Sequence, residues 1–67
     1  MSSLGEELPK EMARVRKVLG HYKEIGPAGI FGATMIEQAL QRADKASISG
    51  DVVAMIRCYE ELKEFED

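Results

Sequence analysis

From Gly32 to Ser47 the apolar and small residues Gly32, Ala33, Met35, Ile36, Ala39, Leu40, Ala43, Ala46 and Ser47 recur mainly at steps of three and four. That spacing gathers them on one wide face of an α-helix. Glu37, Gln38, Gln41, Arg42, Asp44 and Lys45 fall on the opposite face, which suits water. Ala39, Ala43 and Ala46 are small, so a neighbouring helix axis can come close to this face. The middle of the chain is therefore a helix that packs on others, and the flanking segments have to supply them.

The start of this helix has two readings. Pro27 is tolerated in a first helical turn, where its missing N–H costs nothing. Gly29 and Gly32 argue the other way, each costing on the order of 1 kcal/mol relative to alanine inside a helix. Either the helix starts near Pro27 and the glycines serve close backbone contact, or Gly26–Gly32 is an ordered loop and the helix starts near Ala33. The early start is preferred, because Ile30 and Phe31 then extend the buried stripe toward Ala33 and Thr34.

Upstream, residues 1–7 read as a fraying tail, and Leu8-Pro9 opens a first helix with Glu6 and Glu7 beside the positive end of its dipole. Met12, Val15, Leu19 and Tyr22 form a narrow seam along it. Gly20 weakens its interior, and Gly26-Pro27 ends it, since a residue before proline avoids the αR region.

Downstream, Ser47-Ile48-Ser49-Gly50-Asp51 reads as a turn, with Gly50 in a left-handed position and Asp51 as an N-cap. Ile48 is placed to pack back on it. A third helix follows from Val52 to about Phe65, with Val52, Met55, Ile56, Tyr59 and Leu62 inward and Arg57, Glu60, Glu61, Lys63 and Glu64 in water. The predicted fold class is all-α: a three-helix bundle over residues 8–67, with short connections that make neighbours antiparallel. Gly50-Asp51, Ile56 and Tyr59 resemble the second half of a tetratricopeptide-type repeat, but residues 1–33 do not repeat in 34–67, and a generic helix-turn-helix explains the pattern as well.

Sixty-seven residues put the domain near the lower limit for a chain without disulfides or metal. Self-association is the common remedy, so homodimerisation is expected to complete the bundle. The single Cys58 excludes an internal disulfide framework and fits a reducing compartment. With no apolar run long enough to span a membrane and no signal-peptide pattern, the expected location is cytoplasmic. A net charge of −3 gives no global drive toward nucleic acid.

No catalytic constellation stands out, and the expectation is a protein that is not an enzyme and takes no cofactor or metal. His21 is alone, without the partner a general base needs or the companions a metal site needs. Cys58 is placed mid-helix, on the polar side or its boundary, and reads as an inert, partly buried thiol. Gly26–Gly32 lacks the Lys-Ser/Thr end of a phosphate loop and the strand that a dinucleotide turn follows. Arg14, Arg16, Lys17 and Lys23, with Lys10, make the first helix the basic one, opposed by Glu11 and Glu24, whereas the third ends in acidic residues. Pairing of the two, within or between chains, is the plainer reading.

The run EMARVRKVLGHYKEIGPAGIFGATMIEQALQRADKA, continuing through SGDVVAMIRCYEELKE, resembles small uncharacterised proteins found in bacterial prophage regions. Met12-Ala13-Arg14-Val15-Arg16, Gly26-Pro27-Ala28-Gly29, Met35-Ile36 and Gly50-Asp51 carry the likeness. It covers nearly the whole chain and implies a bacterial or phage origin, with no assigned chemistry.

Two functions follow as expectations. The first is a non-enzymatic interaction module that engages itself or another protein through Ile30, Phe31, Met35 and Met55, because three apolar stripes exceed what so short a chain can bury. The alternative is a small nucleic-acid-binding regulator using Arg14, Arg16, Lys17 and Lys23.

Overall fold

The computed structural model describes residues 3–66. Helices α1 (Leu4–Glu24), α2 (Ile30–Ser49) and α3 (Val52–Lys63) pack against one another, with a 3-10 turn over Gly26–Gly29 joining the first two. The architecture is an all-α three-helix bundle, without strands among the described residues.

Helix α1 starts earlier than Leu8-Pro9, because Ser3 supplies a cap. Its side chain accepts from the Glu6 N–H at 3.3 Å, and its carbonyl accepts from Glu6 and Glu7. Leu4 then packs against the core one turn before the fully buried Leu8. Residues 3–7, read from sequence as tail, thus form the cap and first turn; Met1 and Ser2 lie outside the described residues. Pro9 sits inside this helix and removes only the bond that the Gly5 carbonyl would have accepted.

The chain leaves α1 at Ile25 and turns at Gly26, whose φ is 83°. The 3-10 turn carries Pro27 in its first positions and runs directly into α2. The glycine-rich stretch is therefore a 3-10 turn followed by α-helix, and α2 itself begins at Ile30, between the two expected starts. Gly29 and Gly32 both lie under Tyr22. A Cβ on Gly29 would collide with the Tyr22 carbonyl, and one on Gly32 with the Tyr22 ring.

Gly50 ends α2 with φ 70°, its N–H donating to the Ala46 carbonyl, and Asp51 caps α3 by accepting from Ala54 N–H at 3.2 Å. The turn is shorter than expected, because α2 continues through Ser49. Ile48 does not fold back; it is 85% exposed on the outer side of the last turn of α2.

The core is built from Leu8, Met12, Val15 and Val18 of α1, Ile36, Ala39, Leu40, Ala43 and Ala46 of α2, and Cys58 and Leu62 of α3. Leu19, Tyr22, Met55, Tyr59 and Phe65 close it as half-buried neighbours. Ala46 of α2 lies beside Ala54 and Cys58 of α3, so small residues face small residues there and the two axes can approach closely. This rotates α3 relative to the expected face. Cys58 is in the core rather than on the polar side, while Val52 and Ile56 are turned out into water.

Charged groups tie the helices at their edges. Arg42 donates to Glu61 at 2.7 Å, joining α2 to α3, and Lys23 pairs with Glu37 at 3.4 Å, joining α1 to α2. Arg14 reaches the end of α3, donating to the carbonyls of Phe65 at 2.8 Å and Leu62 at 3.0 Å while its Nε bonds Glu11 at 2.6 Å.

Candidate functional site

Between Glu24 and Glu37 the chain carries no charge, and this stretch forms the joined end of α1 and α2. Ile25, Ile30, Phe31 and Met35 stand exposed there, Phe31 at 78%. The burial expected for Ile30 and Phe31 fails for a geometric reason. Phe31 and Met35 are four residues apart on one edge of α2, and Arg42, seven beyond Met35, pairs with α3. That edge therefore faces α3, but α3 has only 12 residues and ends at Lys63, two positions past Glu61. Met35 and Phe31 lie beyond its reach. On the other edge, Ile30, Ala33, Lys23, Gly26 and Pro27 line a shallow depression of about 330 Å³.

Met55 does not join this group. It is half-buried against the core on α3, at the opposite end of the bundle. With the Arg42–Glu61 pair fixing the register, it lies roughly 20 Å from Met35 along the α2 axis. A second set of exposed apolar residues, Ile48, Val52, Val53 and Ile56, surrounds that end.

The basic residues of α1 do not converge. Arg14 is turned inward onto the α3 carbonyls, and Lys23 is engaged by Glu37. Arg16 and Lys17 are exposed, but at 100° per residue positions 14, 16, 17 and 23 spread around much of the helix. His21 is exposed. No group of three or more potential ligands among His, Cys, Asp and Glu is near enough to hold a metal among the described residues.

An open groove of about 740 Å³ runs between α2 and α3. Its floor is Ala46, Ala54 and Cys58, and Arg42, Lys45, Arg57, Asp51 and Glu61 stand on its walls. Burial raises the Cys58 thiol above its ordinary value, with Glu61 adding to the shift and Arg42 opposing it. The thiol is thus protonated and unreactive near neutral pH. Sequence periodicity misses this groove because it follows from the rotation of α3. The four-residue steps Ala54, Cys58 and Leu62 are its one signal.

No helix among the described residues is long and apolar enough to cross a membrane. In comparisons with protein-family models, curated proteins and solved structures, nothing matches this chain.

Proposed function

We propose that this chain is a non-enzymatic, self-associating interaction module. The observation that carries the reading is the distribution of exposed apolar side chains. The core closes along the middle of the bundle, yet large apolar residues at both ends remain 44–85% exposed. Exposed apolar residues gathered in this way mark contact surfaces more often than isolated ones do. A second copy is the occupant that a domain of this size most needs, since it alone buries only about 60% of its unfolded surface.

Sedimentation equilibrium over a wide concentration range tests the reading. The expected mass rises from 7.4 kDa toward twice that value. A mass fixed at the monomer value throughout would exclude it. Nucleic-acid binding has weaker support, because two of the four cations it needs are already committed within the fold. Retention on heparin that falls steeply with salt would revive it.

A further inference from the structure

We infer that the second copy docks on the outer edge of α3, the two α3 helices antiparallel about a two-fold axis, with Glu60 of each copy against Arg57 of the other. This rests on the self-association proposed above and specifies its surface.

Val53, Ile56, Arg57, Glu60 and Glu64 recur at steps of three and four along one exposed side of α3. The first part of that row is apolar and cationic, and the second part is acidic. A two-fold axis between positions 57 and 60 lays each half against its opposite. It makes the Arg57–Glu60 contact twice, with Ile56 of each copy opposite position 61 of the other. A parallel arrangement would set Arg57 against Arg57 and Glu60 against Glu60.

The charges are available. Arg57 and Glu60 are one turn apart on the same helix, yet they form no ion pair with each other or with any other described residue. Lys45 is likewise unpaired, and it stands on the α2 wall of the groove that Arg57 borders. From Arg42–Glu61, three residues on along α2 brings Lys45 level with Cys58, next to Arg57 in the chain, and these two cations share the groove walls with the carboxylates of Asp51 and Glu61. The uncharged end around Phe31 has more exposed apolar surface but nothing to set a register.

A contact built on one helix of 12 residues and a groove wall falls at the small end of protein interfaces, so the dimer is expected to be weak. Sedimentation velocity at low salt and up to about 1 mM chain suits it. Arg57→Glu and Glu60→Arg should each weaken association about tenfold or more, with helical circular dichroism unchanged. An equimolar mixture of these two variants should associate, because one then carries two carboxylates and the other two guanidinium groups. Phe31→Glu should leave the dimer intact. A wild-type dimer that survives both charge reversals overturns the inference, as does one lost only on Phe31→Glu, and in either case self-association stands. A monomer at every concentration removes both.

Discussion

Tyr22 occupies the space that a side chain at position 32 would need, and its own carbonyl blocks one at position 29. The two obstacles differ in kind. The ring can rotate away from an added methyl at Gly32, but the backbone of α1 cannot leave Gly29 without shifting a helix. Gly29→Ala should therefore cost about 3 kcal/mol and Gly32→Ala about 1–2 kcal/mol. Gly20→Ala meets nothing within 4 Å and should stabilise by about 0.5–1 kcal/mol. Urea midpoints of the three variants check the order; a Gly29→Ala chain as stable as the parent would refute the packing described.

Arg14 joins the two ends of the sequence by capping α3 with its guanidinium. Arg14→Met keeps much of the aliphatic stem but leaves the Leu62 and Phe65 carbonyls to water. The expected loss is about 1–2 kcal/mol, since the group is partly exposed. Arg14→Lys should recover less than half of it, because one ammonium cannot reproduce the fork that holds both carbonyls. Thermal unfolding of both variants measures this.

Cys58 couples stability to alkaline pH. Its protonated form is favoured in the fold by burial first and by Glu61 second. The unfolded thiol ionises near its ordinary value of about 8.5 and the folded one higher. The contribution is therefore fully present below that pH and is lost as pH rises toward the folded value. Cys58→Ala should flatten this alkaline decline while costing about 1 kcal/mol for lost packing. Thiol labelling of the native protein at neutral pH should be slow, and fast in denaturant.

Ile36 and Phe31 are near neighbours in sequence with opposite roles. Ile36, 1% exposed, should cost about 2–5 kcal/mol on truncation to alanine. Phe31→Ser at the exposed end should change monomer stability by no more than about 0.5 kcal/mol. Equal losses for the two would mean that Phe31 is covered in solution.

Much of the architecture is legible in the residues. The small face at Ala39, Ala43 and Ala46, the seam through Met12 and Val15, and the Gly50-Asp51 punctuation each act locally, and each is found. Three features depend on how helices meet and have no local mark. Ser3 caps α1 because Leu4 finds a core to join. Cys58 faces inward where α2 presents the small Ala46. Phe31 stays in water because α3 stops short of it, and Ile30 because it lies on the edge of α2 away from α3. Ile30, Phe31 and Met35 share one end of the molecule, on two edges of α2, whereas Met55 lies at the other end, a separation that a helical wheel cannot express.

The unequal helix lengths have a dynamic consequence. Helix α1 extends over roughly 30 Å and α3 over about 18 Å, so the last turns of the α1–α2 pair lack a third helix beside them. Opening that end separates Tyr22 from its two glycines and breaks the Lys23–Glu37 contact. Amide hydrogens there should exchange with solvent through small, frequent fluctuations, while those around Val15 and Ala43 await rupture of the whole fold.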